Sequence, residues 1–414
     1  MSLNETPQAV RVHIALFGKR NAGKSSIINA VTGQEAAIVS DVKGTTTDPV
    51  YKPIEMLPIG PCVFIDTAGT DDTGDLGKLR IKKTLEVLDK TDIALLIVDA
   101  QVGFDEKDVM ITQKIREKKI PLLIVLNKID RVSNADLLKA QVQKLEDKFK
   151  CVVAKVSALK NIGIDTLKNA IIKIVPDNED KFKIVGDLIN PGDFVVLVTP
   201  IDKAAPKGRL ILPQQQTIRD VLESDAIAVV TKEYELKETL EKLMVKPKLV
   251  ITDSQVFLKV AADTPKDILM TSFSILFARF KGDLTELIKG AKCIEKLKDG
   301  DKVLIAEGCT HHKQSDDIGT VKIPRWIRQR TGKNINFEFS SGVSFTDEIT
   351  KYALIVHCGG CMMNRAAMIS RIESAKAYNV PIVNYGVLIA YVQGILERAL
   401  EPFPLAKMIW EEEI

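Results

Sequence analysis

Gly18-Lys19-Arg20-Asn21-Ala22-Gly23-Lys24-Ser25 is the stretch on which the reading of this chain turns. It fits G-x-x-x-x-G-K-S/T. The apolar run VRVHIALF precedes it and the helical pattern SSIINAVTG follows it. Strand, glycine-rich turn and helix is the setting the motif needs. Its glycines let backbone N–H groups turn inward onto phosphate oxygens, and the helix N-terminus adds a favourable dipole. Asn21, Ala22, Gly23, Lys24, Ser25 and Ser26 are therefore the expected phosphate contacts. Lys24 is expected to reach the β- and γ-phosphates of a nucleotide, and Ser25 to ligate Mg²⁺.

Working outward, residues 8–175 alternate apolar runs (CVFIDTAG, DIALLIVDA, PLLIVLN, CVVAKVSA) with amphipathic helical stretches. That alternation is the pattern of βαβ units and a mostly parallel sheet. Three strand ends carry chemistry. Asp66-Thr67-Ala68-Gly69 closes CVFI; Asp66 suits a water-mediated Mg²⁺ role, and Gly69 offers its N–H to the γ-phosphate. Asn127-Lys128-Ile129-Asp130 closes PLLIVL. The Asp130 carboxylate can accept from both N1–H and the 2-amino group of guanine; adenine lacks these donors and would leave it unpaired, which gives strong discrimination. Ser157-Ala158 follows VVAKV, where a backbone N–H can meet guanine O6. All lie where a parallel sheet binds ligands, at its carboxyl edge.

These four motifs, in this order, resemble the P-loop GTPases related to translation factors, and more narrowly the branch with tRNA-modification and ribosome-assembly GTPases. The likeness covers about 165 residues. Gly44-Thr45-Thr46-Thr47-Asp48 matches the switch segment of that branch. The resemblance implies that Thr46 senses Mg²⁺, with Thr45 and Thr47 as alternatives, and that Lys24, Thr46 and Gly69 carry hydrolysis. Asn21 stands where potassium-activated members place an asparagine, so K⁺ is expected to supply transition-state charge. The residue after Asp-Thr-Ala-Gly is Thr70, not the water-orienting glutamine of signalling GTPases, so slow intrinsic turnover is expected. Asp71 and Asp72 are alternatives for orienting water.

The rest of the 414 residues sets the frame. Apolar residues make up 45% and charged residues 27%, an ordinary globular composition that excludes a largely disordered chain. A net charge of +3 gives no reason to expect a nucleic-acid or membrane-surface partner. Nothing at the N-terminus reads as a signal peptide. The long uncharged run Ala377–Leu396 contains Asn379, Pro381, Asn384, Gly386 and Gln393, which suits a buried strand plus helix rather than a membrane span. A cytoplasmic protein with reduced thiols is expected. Three α/β domains are read: 8–175, 184–264 and 265–414. The middle one has no histidine, cysteine or phosphate loop and reads as a structural or self-association module. The third reads as a second α/β sheet, with a helix near Asn364–Tyr378 and a last one near Val387–Leu400.

Three of the six cysteines and three of the four histidines fall in two segments of the third part. Cys309-Thr310-His311-His312 follows KVLIAEG, and His357-Cys358-Gly359-Gly360-Cys361 follows YALIV. Glycines 359 and 360 let Cys358 and Cys361 fold toward one centre. Two readings stand: a closed structural Zn²⁺ site of three cysteines and a histidine, or three thiolates holding a 4Fe-4S cluster whose fourth iron takes another ligand. The first would suit an RNA-modification or ribosome-assembly GTPase with structural zinc. Cys62, Cys151 and Cys293 read as inert.

A GTPase part followed by C-x-H and, after a long gap, H-C-x-x-C resembles the HydF family, the GTPase maturation factors of FeFe-hydrogenase. This resemblance covers essentially the whole chain. It implies a 4Fe-4S cluster on Cys309, Cys358 and Cys361, a middle dimerisation domain and a homodimer. It also implies a scaffold or carrier for the diiron subcluster, with apo FeFe-hydrogenase and the radical-SAM maturases of the same pathway as partners. His311, His357, Glu307 or water are candidates for the fourth ligand. Between the segments, KIPRWIRQRTGK (322–333) reads as an amphipathic helix. Its Arg325, Arg328 and Arg330 are candidates to meet an anionic iron precursor or the hydrogenase.

Overall fold

Strands buried on both faces of a parallel sheet appear in sequence as unbroken apolar runs, and this chain builds three sheets largely from such runs. The computed structural model describes residues 8–33, 49–69, 82–175, 183–201, 210–308, 317–342 and 348–412. Thr45, Thr46, Thr47, Thr70, Asp71, Asp72, Cys309, His311 and His312 lie outside the described residues. The chain divides into two compact units, residues 1–177 and 178–414.

The first unit contains β1 (Val12–Phe17), α1 (Lys24–Thr32), β2 (Val50–Met56), β3 (Gly60–Asp66) and α2 (82–88). It continues with β4 (Ile93–Asp99), α3 (Glu106–Glu117), β5 (Leu122–Asn127), α4 (Ala135–Phe149), β6 (Val153–Lys155) and α5 (Ile164–Ile174). Strand order is β2-β3-β1-β4-β5-β6, with only β2 antiparallel to its neighbour. One core lies on each face: Ile14, Leu16, Ile27 and Leu167 on one side, Phe17, Leu96, Ile111 and Ile124 on the other. Register sets Asp66 beside Leu16 and Asn127 beside Asp99, so the motif-bearing strand ends share one edge.

The second unit begins with β7 (Phe194–Val198), α6 (Leu212–Glu223), β8 (Ile227–Thr231), α7 (Leu236–Lys242), β9 (Leu249–Thr252), α8 (Phe257–Asp263) and β10 (Leu269–Ser272). These strands form an all-parallel sheet, β10-β9-β7-β8. The strand β10, which sequence reading assigns to the third part, pairs with β9 in this middle sheet. There follow α9 (Phe273–Lys281), α10 (Leu284–Lys292), β11 (Lys302–Glu307), α11 (Ile323–Thr331), β12 (Asn336–Ser341), β13 (Leu354–His357) and α12 (Arg365–Ala377). The chain closes with β14 (Ile382–Asn384), α13 (Tyr385–Val392), α14 (Leu396–Leu400) and α15 (Pro404–Glu411). The last sheet, β12-β11-β13-β14, is also parallel throughout.

The two four-stranded sheets share a single core running from Ile184 to Ala406. The helix α9 is apolar almost all round, with Phe273, Ile275, Leu276, Phe277 and Ala278 buried, as a helix sandwiched within a core must be. Arg398 on α14 ties the unit further by donating to the carbonyls of Ala261, Thr264 and Pro265. One expectation is corrected. The last helix expected over 387–400 is two helices, because Gly394 adopts φ +71°, a left-handed conformation that ends α13.

Candidate functional site: a nucleotide cleft and a cysteine loop

The loop after β1 is shaped by residues that tolerate left-handed backbone. Gly18 has φ +134°, and a Cβ there would sit 2.3 Å from the Ile97 carbonyl oxygen. Gly23 has φ +94°, and its Cβ would meet the Asn127 amide nitrogen at 2.2 Å. Asn21 takes φ +61° between them. Lys24 is buried and its ammonium donates to the carbonyls of Gly18 and Lys19 at 3.0 and 2.9 Å, which curls it over the loop it follows. The Ser25 hydroxyl donates to Asp66 Oδ2 at 2.5 Å. The expected Mg²⁺ ligand and the expected Mg²⁺-linked carboxylate thus stand side by side, an oxygen donor set that fits a hard cation. Thr67 anchors the Asp66–Gly69 loop by donating to the Leu16 carbonyl at 2.5 Å. Asn21, Gly23, Lys24, Ser25, Asp66 and Gly69 line a cleft of about 440 Å³.

The base-recognition residues are joined to this loop by side chains. Asn127 donates to the Ala22 carbonyl at 3.0 Å and accepts from the Ala158 N–H at 3.1 Å. That second bond engages one backbone N–H of the Ser157-Ala158 segment expected to meet guanine O6. Lys128, in left-handed backbone at φ +63°, donates to the Asn21 carbonyl at 2.6 Å and to Asp99 at 2.7 Å. Burial works to raise the Asp99 pKa, but the Lys128 ammonium and neighbouring backbone N–H groups outweigh it and hold the carboxyl below its usual range. Ser157 is fully buried, and its hydrogen bond holds Asp130 below the usual carboxylate range. Asp130 Oδ1 is buried with no partner among the described residues. An orphaned acceptor is costly unless a ligand donor fills it, and guanine N1–H is such a donor.

In the last sheet β11 and β13 are neighbours, so the strands that precede the two cysteine segments end side by side. Gly308, the residue before Cys309, donates its N–H to Cys358 Sγ at 3.1 Å. Burial raises the Cys358 thiol pKa, and N–H groups of Gly308 and Gly360 work against that. N–H···S contacts at a thiol pair on one short loop fit a metal–thiolate centre. Among the described residues there is no group of three His, Cys, Asp or Glu able to hold a metal; Cys309 and His311 are outside them.

Both ring nitrogens of His357, a candidate metal ligand, have protein partners. The residue is fully buried. Its Nδ1 pairs with the Cys358 carbonyl at 2.7 Å, and its Nε2 pairs with an Arg371 Nη1 at 2.6 Å. Arginine only donates, so Nε2 must be the acceptor and Nδ1 the N–H. Burial, then the Arg371 charge, pushes its pKa down to about 3. No lone pair is left for a metal. Sequence reasoning missed two residues here. Arg371 also donates to the Gly342 carbonyl at 2.7 Å and holds the imidazole. Lys281, 2% exposed, lies beneath the cysteine loop. Burial lowers its pKa to about 8, with Cys361 and Cys358 working the other way. Glu307 is buried and accepts from the Tyr385 hydroxyl at 3.3 Å. The basic stretch 322–333 does form a helix: Ile323, Pro324 and Ile327 are buried, and Arg330 pairs with Glu295 at 2.8 Å.

Fold and cleft together define a P-loop GTPase. Residues 13–128 match the family model described as 50S ribosome-binding GTPase. The tRNA modification GTPase MnmE of Nitrosomonas europaea is 37% identical over 39% of this chain and 34% of its own length. GTPase Der of Wolinella succinogenes is 36% identical over 42% of this chain and 37% of its own. This chain thus spans about a third of the length of those curated relatives. A solved structure, a variant of Aquifex aeolicus Era bound to GDP.AlF4⁻, is 22% identical, covering 54% of this chain and 94% of that one, with a TM-score of 0.37. The remainder is more telling. Residues 184–282 match the hydrogen maturase F dimerization domain, and 285–402 the hydrogen maturase F tetramerization domain. The chain belongs to the hydrogen maturase F (HydF) family, with a GTPase domain ahead of that family's two association domains. It carries self-association domains of two kinds, where sequence reading expects a homodimer and leaves higher order open. No described helix is long and apolar enough to cross a membrane.

Proposed function

We propose that this GTPase is the scaffold or carrier that holds the diiron subcluster precursor and delivers it to apo FeFe-hydrogenase. The observation that supports this reading best is the pairing of β11 and β13, the strands that lead into the two cysteine segments, with the Gly308 N–H on Cys358 Sγ. Cys309, Cys358 and Cys361 would hold a 4Fe-4S cluster. When bound, such a cluster supplies an iron without a thiolate, a place where an exogenous ligand of the precursor can attach. His357, Arg371 and Lys281 shape the pocket from the protein side; His311, Glu307 or water remain for the fourth iron. Lys24, Ser25 and Asp66 hold GTP and Mg²⁺, and K⁺ beside Asn21 neutralises charge that builds during hydrolysis. Nucleotide state gates partner association through Thr46 and the Asp66–Gly69 loop.

Anaerobic reconstitution followed by mixing with apo-hydrogenase tests the proposal. Iron and sulfide in the purified chain, and hydrogenase activity that rises only after the chain is loaded with precursor, are expected. Stoichiometric zinc with neither iron nor sulfide would instead favour the structural-zinc reading, and loaded protein that leaves apo-hydrogenase inactive would remove the carrier role. Repeating the partner-binding measurement with GTP and GDP tests the gate, which equal affinities would exclude.

A further inference from the structure

Lys281 is the last residue of α9, where a helix favours a cation. Its side chain turns inward. The Nζ donates to three backbone carbonyls of the cysteine loop: Gly360 at 3.2 Å, Cys361 at 3.0 Å and Met363 at 2.8 Å. Three carbonyl oxygens around one nitrogen call for three protons, which an ammonium has and an amine lacks. Gly360 has φ +61°, a left-handed backbone that glycine adopts without strain and that turns the loop toward Lys281. Peptide C=O and N–H point in opposite directions. Drawing the Gly360 and Cys361 carbonyls onto Lys281 therefore turns the N–H groups of Cys361 and Met362 to the far side of the loop.

We infer that Lys281 is a positioning residue for the cysteine loop and a fixed counter-charge to the thiolate-held centre there. This rests on the iron–sulfur reading given under the proposed function. A side chain from the helix that follows the middle sheet thereby sets both the geometry and the electrostatics of a loop some 80 residues later. A buried positive charge favours the more reduced, more negative state of an iron–sulfur centre, and the three hydrogen bonds keep the two cysteines in register.

Three variants of the full-length chain, reconstituted anaerobically with ferrous iron and sulfide, separate these effects. K281M removes charge and donors, K281Q keeps amide donors without charge, and K281R keeps charge. The thermal unfolding midpoint of the second unit reports that each variant is folded around residue 281, iron and sulfide analysis gives its loading, and GTP hydrolysis, which belongs to the other unit, normalises the amount of active chain. K281M is expected to lose iron to a chelator at least tenfold faster than the parent. K281Q is expected to hold iron better than K281M, yet its reduced-to-oxidised ratio at fixed potential falls at least tenfold, about 59 mV for one electron. K281R restores the potential. Equal iron retention and equal potentials in the parent, K281M and K281Q would overturn the inference while leaving the cluster in place. If K281M does not accumulate as folded protein, the potential of K281Q against K281R decides. A parent chain that takes up no iron and sulfide defeats the iron–sulfur reading itself, a result plainly different from the first.

Discussion

The Asp130 carboxylate carries one buried oxygen that nothing among the described residues satisfies. Replacing it with Asn turns one acceptor into a donor and should weaken GTP at least ~100-fold. XTP should bind in its place, because xanthine carries a carbonyl where guanine carries an amino group. A competition measurement with the two nucleotides checks this, and unchanged GTP affinity would put the base elsewhere. Asn21 makes a second prediction: hydrolysis by the parent chain is several-fold faster in KCl than in NaCl, and N21A removes the difference. Equal rates in both salts would end the K⁺ assignment. The third contrasts a histidine with a cysteine. H357L strands the buried Arg371 guanidinium and should cost roughly 2–3 kcal/mol of stability, read by denaturant unfolding, yet keep its iron; C361S should lose it. The reverse pattern would make His357 a ligand after all.

The phosphate loop was legible because its chemistry is written in eight consecutive residues. For His357, adjacency to Cys358 looks like a ligand set, whereas the pairing of its Nε2 with Arg371, 14 positions later, is silent in sequence. Lys281 gave no signal at all. A lysine ending an apolar helix ordinarily snorkels to water, and only the return of the chain at Gly360 buries it.

Elements show the same division between local pattern and distant contact. Most strands of both units appear in sequence as apolar runs, and Gly394, in left-handed backbone, separates α13 from α14. Pairing order was not legible: that β10 joins β9 depends on which face α9 leaves open, a question of packing. Close approach of elements is equally silent in sequence. Gly290 on α10 lies so near β14 that a Cβ would meet the Ile382 carbonyl oxygen at 2.0 Å. G290V should therefore force α10 off the last sheet and destabilise the second unit by about 1–3 kcal/mol or more. Thermal unfolding measures this, and an unchanged midpoint would mean that the helix moves without cost.

For the whole molecule, two units with separate interiors should unfold in two transitions. GTP with Mg²⁺ binds only the first, so it should raise only that one, by ~2.7 kcal/mol at a hundredfold excess over Kd. Calorimetry with and without nucleotide decides; a single transition that shifts as one would mean that the units unfold together. The second unit has a consequence of another kind. Its two family segments have different names, yet Ile184 through Ala406 enclose one apolar interior. Swapping either segment alone for that of a relative would mate two half-interiors that never co-evolved, so the smallest piece that natural or laboratory recombination can trade intact is the pair.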